Sequence, residues 1–160
     1  MKQKLIPTWV VVADGARARY FALRDGDGAY NLEVLSSETN SHLEPHSRDA
    51  KSDRPGRTAE SMGGGVRHAI EPRHDYHKME KHDFAREVMQ HLEKSFDAHE
   101  FERLVLAAPH RSLGELRTLL PHKMTSCIWH EIGRDFTKLG VEELWLRLAP
   151  HLKEHVLPAD

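Results

Sequence analysis

The run Thr8-Trp-Val-Val-Val-Ala13 near the amino terminus constrains the fold more than any other part of the sequence. It is largely apolar and rich in β-branched residues, which is the pattern of a strand buried on both faces. Such a strand belongs in the interior of a sheet, with covering layers on both sides. The sequence therefore predicts a fold that is organised around this first strand.

Two further strands are predicted directly after it. Asp14-Gly15 is a hairpin-type turn signal, and the following stretch 16–23 partly alternates apolar and polar residues, as a strand with one wet face does. A second turn at 25–28 leads to another alternating stretch at 30–35. Three strands joined by tight turns predict an antiparallel meander.

The second half of the chain predicts alternating helices and strands. Phe84, Val88, Leu92 and Phe96 recur every four residues and predict an amphipathic helix over about 78–97. Next come a buried-type strand at 101–108, a helix capped by Ser112 and ended before Pro121, a strand at 127–132, and a helix from Val141 that stops at Pro150. Residues 1–160 thus predict one α/β domain with a mixed five-stranded sheet, a meander followed by βαβα, in a ribonuclease H-like topology.

The stretch between the meander and the first helix predicts a long polar loop. Residues 38–79 contain few apolar residues, three prolines and the run Gly63-Gly64-Gly65. A connection of that length inside one domain is uncommon and is usually functional or disordered. We expect this loop insertion to be the working surface of the protein.

Composition excludes several classes of protein. Lys+Arg 23 against Asp+Glu 25 gives a net charge of -2, which disfavours binding to nucleic acid through bulk charge alone. The single cysteine, Cys127, excludes an intramolecular disulfide framework, and its apolar context predicts a buried, inert thiol. No apolar run is long enough for a membrane helix or a signal-peptide core. We therefore expect a cytoplasmic protein without membrane insertion.

A carboxylate–metal nuclease is the first enzymatic alternative. Two-metal chemistry needs several carboxylates that converge at strand ends. Asp14 follows the first strand, and Glu80 or Glu87 could come from the long helix, but the fourth predicted strand ends in Ala108-Pro109-His110 without a carboxylate. The set is incomplete, and the competing interpretation of Asp14 is a turn residue.

A histidine cluster is the second alternative. His68, His74, His77 and His82 lie close together in sequence, and His74-x-x-His77 on a helical turn could supply half of a metal site. The spacing matches no zinc pattern, and these residues are equally explained as polar residues of a solvated segment. We predict neither a bound metal nor a cofactor.

The same loop contains two elements that suit anion binding. Gly63, Gly64 and Gly65 would let the backbone approach a phosphate, although they lack the spacing of a nucleotide-binding loop. Arg54-Pro55-Gly56-Arg57 places two guanidinium groups on a stiff turn, where they could bind phosphate or carboxylate bidentately. The alternative is that these arginines tie the loop to the domain through nearby acidic residues.

Three segments together resemble the bacterial host attachment protein family, whose members are described as required for attachment to host cells. The segments are Trp9-Val-Val-Val-Ala-Asp14-Gly-Ala-Arg17-Ala-Arg19, Ser52-Asp-Arg54-Pro-Gly-Arg57 and Ala107-Ala-Pro109-His-Arg111-x-Leu113-Gly114-x-Leu116-Arg117. The resemblance runs nearly end to end. It implies a phenotype and not a reaction, and it makes Asp14, Arg17, Arg19, Arg54 and Arg57 candidate binding residues.

The layout is also similar to the middle domain of archaeo-eukaryotic class 1 translation release factors. In those factors a Gly-Gly-Gln loop between the meander and the long helix promotes hydrolysis of peptidyl-tRNA. The corresponding position here is Met62-Gly63-Gly64-Gly65-Val66, which has glycines but no glutamine. This similarity implies a ribosome-associated release or rescue factor as the alternative function, with the three glycines as a loop position only.

The leading hypothesis is a non-enzymatic cytoplasmic binding protein that acts indirectly in host attachment. Its partner is not specified by the sequence, although ribosome or RNA contact through 38–79 is compatible with the arginines there, and so is a homo-oligomer. The candidate binding residues are Asp14, Arg17, Arg19, Arg54, Arg57 and Gly63 to Gly65.

Overall fold

The residues that the structure describes form five strands and three α-helices. A computed structural model describes residues 5–26, 29–40 and 66–156, and along 66–77 and 153–156 it describes the helix backbone alone. The elements in chain order are β1 (Thr8–Ala13), β2 (Arg17–Asp25), β3 (Tyr30–Thr39), α1 (Val66–Asp97), β4 (Arg103–Ala107), α2 (His110–Leu119), a 3₁₀ helix (His122–Cys127), β5 (Ile128–Ile132) and α3 (Val141–Val156).

The strands form one mixed sheet in the order β3-β2-β1-β4-β5. β1, β2 and β3 pair antiparallel, whereas β4 pairs parallel with β1 and β5 parallel with β4. The prediction of an α/β fold with a mixed five-stranded sheet is confirmed, and so is the parallel pairing of the strand that follows the long helix.

Apolar side chains cover the sheet on both faces. All six residues of β1 are buried, and alternate ones face opposite layers: Trp9 and Val11 pack with the core that contains α1 and α2, and Val10 and Val12 with the core that contains α3. Full burial of each large side chain contributes about 1.5–3 kcal/mol. The continuous β-branched run is thus explained by a three-layer α/β/α arrangement.

The third strand is longer than predicted. β3 continues past Leu35 to Thr39, because a bulge separates the pairs Tyr20–Ser36 and Phe21–Val34. The bulge breaks the period-2 alternation on which the prediction relied. The polar residues beyond it therefore resembled the beginning of a loop, although they pair with the first half of β2.

The first helix begins earlier than predicted. α1 starts at Val66 rather than near 78, and it includes Pro72. The prediction followed the apolar stripe from Phe84 onward, and such a stripe marks only the turns that pack against a core. The structure therefore shortens the predicted loop 38–79 at both ends, and 41–65 lies outside the described residues.

Two helix ends also differ from the sequence rules. α2 begins at His110 after Pro109, without a side-chain cap, so the predicted cap at Ser112 is wrong. α3 does not stop at Pro150 but contains it. Leu152 is 1% exposed and packs the last turns of α3 against the core. Pro150 has no N–H to donate to the Leu146 carbonyl, and Leu146 is an exposed residue.

None of the helices in the part of the chain that the structure describes is both long and apolar enough to cross a membrane.

Tyr20 predicts a loss of stability at alkaline pH. Its ring is fully buried and stacks on His91, with the centroids 4.2 Å apart. Burial raises the pKa of the Tyr20 hydroxyl far above its usual range, and the negative charge of Glu38 raises it further. In the unfolded chain the tyrosine hydroxyl ionises at a pH of about 10. The stability that comes from keeping Tyr20 protonated in the fold is therefore present below that pH and is lost as the pH rises above it.

We therefore expect Tyr20→Phe to move the alkaline unfolding midpoint to higher pH, as measured by circular dichroism in a pH titration. The matched control is Tyr30→Phe, which changes a half-buried tyrosine. Equal alkaline midpoints for the wild type and Tyr20→Phe would show that Tyr20 does not set this limit.

Candidate functional site

The ends of three parallel strands meet at one side of the sheet. The pairings Val12–Ala107 and Ala107–Ile132 place Asp14, Pro109 and Gly133 at neighbouring positions just beyond β1, β4 and β5. We call this surface, formed by residues 14–17, 109–112 and 133–139, the carboxyl edge. Ligands of open α/β sheets bind preferentially at such edges.

Asp14 builds the turn between β1 and β2. Its Oδ1 accepts hydrogen bonds from the backbone N–H groups of Ala16 (2.7 Å) and Arg17 (2.8 Å). Its Oδ2 accepts a hydrogen bond from the Thr137 hydroxyl at 3.2 Å. Both carboxylate oxygens of Asp14 therefore hold backbone and loop in place, which is the turn role and not that of a free metal ligand.

Thr137 joins this turn to the loop after β5. Thr137 is 3% exposed, and its hydroxyl lies 2.6 Å from Asp135 Oδ1, which also accepts the Thr137 backbone N–H at 3.0 Å. A hydroxyl has a single proton, so the shorter contact to Asp135 is the stronger hydrogen bond and the contact to Asp14 is the weaker one. Two carboxylates are thereby held on either side of one buried hydroxyl.

The two predicted binding arginines of β2 differ in their environments. Arg19 donates from one guanidinium nitrogen to the Leu139 carbonyl (2.5 Å) and the Thr137 carbonyl (3.3 Å), and its guanidinium lies over the Phe21 ring. Arg19 is thus used inside the protein to fix the loop 137–139. Arg17 Nε is shielded from solvent and has no hydrogen-bond partner among the described residues.

The two ends of the stretch 41–79 are joined at the same turn. The Asn40 backbone N–H donates to the Ala16 carbonyl at 2.7 Å, and the Asn40 side chain donates to the carbonyls of Gly15 (3.4 Å) and Glu80 (3.3 Å). The Lys81 stem packs on Gly15, where an added Cβ would lie 3.0 Å from Lys81 Cδ. The chain therefore leaves the carboxyl edge at Asn40 and returns to it at Glu80.

The start of α2 adds an exposed histidine and an exposed arginine to this edge. The His110 ring packs on the backbone of Gly133, where an added Cβ would clash with Cε1. The first turn of α2 contains His110 and Arg111, both exposed, and no acidic residue. A helix amino terminus has unpaired N–H groups and a positive dipole end, and the Arg111 guanidinium adds to that positive charge.

The described residues do not show the other site residues predicted from the sequence in contact with one another. Arg54, Arg57, Gly63, Gly64 and Gly65 lie outside the described residues. His74 and His77 lie on the α1 backbone, and their side chains are likewise outside the description. Within the described residues, no group of three or more histidine, cysteine, aspartate or glutamate residues could hold a metal ion.

The surroundings of His82 and Cys127 give both residues a structural role. His82 Nδ1 lies 2.7 Å from Glu115 Oε1, which joins α1 to α2, and Arg86 approaches His82 Nε2 at 3.3 Å. Cys127 is 4% exposed, as the sequence predicts, and burial raises the pKa of its thiol. A raised pKa keeps the thiol neutral, so Cys127 lacks the thiolate character of a nucleophile.

Sequence reasoning missed Asn40, Thr137 and Asp135. Thr137 bonds to Asp14 from 123 positions away, and Asn40 bonds to Glu80 from 40 positions away. No local pattern marks either pair. His110 and Arg111 could have been identified from the sequence, because they belong to one of the three segments that carry the family resemblance.

Comparison with protein families agrees with these segments. The model of the family described as "Protein required for attachment to host cells" matches residues 9–148. The chain belongs to this family. Two of the three motif segments of this host-attachment protein, 9–19 and 107–117, meet at the carboxyl edge, and the third lies within the stretch that leaves and re-enters there.

Solved structures give weaker likenesses. Two structures of the Aquifex aeolicus PPX-GPPA enzyme, the second a type II variant of the Ppx/GppA phosphatase, each share 12% identity with the chain. Their TM-scores are 0.39 and 0.37, with 79% and 80% of this chain covered. The host-attachment chain spans 35% of the length of each. No curated protein matches it.

Proposed function

We propose that this host-attachment protein acts indirectly, as a non-enzymatic binding protein of the cytoplasm, and that the carboxyl edge is where it binds its partner. The observation that carries the proposal is the convergence of two of the motif segments, 9–19 and 107–117, on one surface. Asp14, Asn40 and Thr137 fasten the β1–β2 turn, the stretch 41–79 and the loop 133–139 to one another. Such a rigid base suits the presentation of a binding segment.

The hydrogen bonding at this edge favours binding over catalysis. Asp14 and Asp135 both bond to Thr137, and Arg19 bonds to the carbonyls of Thr137 and Leu139. Catalytic groups need at least one polar atom directed at a reacting atom. The polar groups of Asp14, Asp135, Thr137 and Arg19 are instead directed at one another or at backbone carbonyls, which supports a scaffold.

The ribonuclease H-like topology belongs to the same proposal. The strand order β3-β2-β1-β4-β5, with an antiparallel meander followed by two strands parallel to β1, supports it. In this arrangement β3 also runs parallel to β1, so the stretch that leaves β3 begins at the carboxyl edge. The topology therefore accounts for where the stretch 41–79 is presented.

The proposal predicts that the double substitution His110→Ala/Arg111→Ala reduces attachment of the bacteria to host cells several-fold. Both side chains are exposed, and surface substitutions usually change the free energy of unfolding by less than about 0.5 kcal/mol. The measurement is an attachment assay with the variant in place of the wild-type chain, together with its melting temperature and its distribution between cytoplasmic and exported fractions.

The matched control is Arg147→Ala, which removes an exposed arginine of α3 that pairs with Glu143. Attachment equal to that of wild type in the double variant would contradict a binding role for this edge. Recovery of the protein in the exported fraction would contradict the indirect, cytoplasmic route.

A further inference from the structure

A cleft lies at the opposite end of the strands from the proposed binding surface. It has a volume of about 360 Å³ and lies between the end of α1, the start of β4 and the end of the 3₁₀ helix. Phe96, Phe101 and Cys127 line it on the apolar side, and Asp97, His99, Glu102 and Ser126 on the polar side. A volume of this size lies in the range of small-molecule sites.

The apolar side of the cleft is aromatic. The Phe96 and Phe101 rings lie 5.8 Å apart at 51°, and Phe101 is 1% exposed, so this wall is fixed by the core behind it. Burial raises the pKa of the Cys127 thiol, so the sulfur adds a neutral, polarisable surface and not a charge. A flat apolar group can pack on the half-buried Phe96 ring, which the buried Phe101 ring supports from behind.

His99 is held in a strained conformation beside this wall. Its φ is 59°, and the hydrogen bonds His99 N–H to Phe96 carbonyl and Glu100 N–H to Ser95 carbonyl, both 3.0 Å, form the glycine-type end of α1. Glycine is the residue that this left-handed position favours, because a Cβ is unfavourable there. A strained residue kept where glycine fits better, with its side chain lining a cleft, points to a use for that side chain.

The acidic residues that line the cleft are Asp97 and Glu102. Asp97 is bound by Lys123 at 2.8 and 2.9 Å, whereas Glu102 is exposed and takes part in no ion pair among the described residues. The carboxyl end of α1 also contributes the negative end of its dipole. A positively charged group is therefore favoured next to the aromatic wall, and an aromatic face adds to that attraction.

We propose that this cleft binds a small organic cation with a flat apolar group, such as an arylalkyl amine, with Phe96 against the ring and His99 and Glu102 around the ammonium group. The site is separate from the carboxyl edge, and its function does not depend on the function proposed there.

The test is an NMR titration of the ¹⁵N-labelled full-length chain with 2-phenylethylammonium, and with 3-phenylpropionate as the probe of opposite charge. We expect saturable shifts of the His99, Phe101 and Cys127 amides in the millimolar range with the amine, and at least tenfold weaker binding of the carboxylate. The absence of saturation with the amine, or equal affinity for both probes, would overturn the proposal.

Two variants separate binding from stability. His99→Gly relieves the left-handed strain, so it should raise the melting temperature while it weakens amine binding at least fivefold. Glu102→Gln keeps the shape of the exposed side chain and should also weaken amine binding at least fivefold. Wild-type affinity in either variant would overturn the proposed site, and unchanged affinity is expected in Arg147→Ala, which removes an exposed arginine of α3 that does not line the cleft.

Discussion

Replacing Thr137 by valine is expected to lower the free energy of unfolding by about 2–3 kcal/mol, because the buried hydroxyl donates a hydrogen bond to a carboxylate. Valine has nearly the same shape, so the loss comes from the polar group rather than from a cavity. Asp14 Oδ2 also loses its donor, and two carboxylates then face each other across a methyl group. In a chain of this size the melting temperature should fall by roughly 4–10 °C.

Two further variants define this result. Thr137→Ser keeps the hydroxyl and should retain most of the stability, whereas Thr118→Val removes an exposed hydroxyl on α2 and should cost less than about 0.5 kcal/mol. Melting curves for the three variants are sufficient. If Thr137→Val and Thr118→Val were equally stable, the Thr137 hydroxyl would not be what fastens the loop 133–139 to the β1–β2 turn.

The parts of the fold that follow from local pattern could be predicted from the sequence. The β-branched run of β1 places that strand in the sheet interior, because a strand with one solvent-exposed face would leave half of the run in water. The limits of α1 and α3 could not be predicted in the same way. Pro150 is a local stop signal, and the burial of Leu152 against the core overrides it.

The candidate site shows the same division. Asp14 could be recognised as a turn residue because aspartate before glycine favours turns through its own side chain. The partners that fasten this turn, Thr137 and Asn40, come from distant parts of the chain, and only the fold brings them to Asp14 and Glu80. Local patterns identify the anchored turn, whereas long-range contacts supply its anchors.

The largest functional effect is expected from Arg54→Ala/Arg57→Ala. Two guanidinium groups that each donate charge-assisted hydrogen bonds contribute about 1.5–3 kcal/mol apiece. Since about 1.4 kcal/mol corresponds to a tenfold change in affinity, the loss of both groups, about 3–6 kcal/mol, should weaken partner binding more than a hundredfold. The hydrogen bond from Asn40 to the Glu80 carbonyl joins the two ends of the stretch 41–79, so the melting temperature should change little when the arginines are removed.

The measurement is co-sedimentation with ribosomes from a lysate at low and high salt, together with a pull-down from the same lysate, for the wild type, the double variant and Arg147→Ala. Binding lost in the double variant and kept in Arg147→Ala would support the arginines as contact residues, because the two variants differ in where the positive charge is removed. Salt-sensitive association with ribosomes would identify the partner as an RNA-rich particle and make the run Gly63 to Gly65 the next target. A double variant that unfolds at a much lower temperature would instead mean that Arg54 and Arg57 tie the stretch to the domain, because a contact residue can be removed without cost to the fold whereas a structural one cannot.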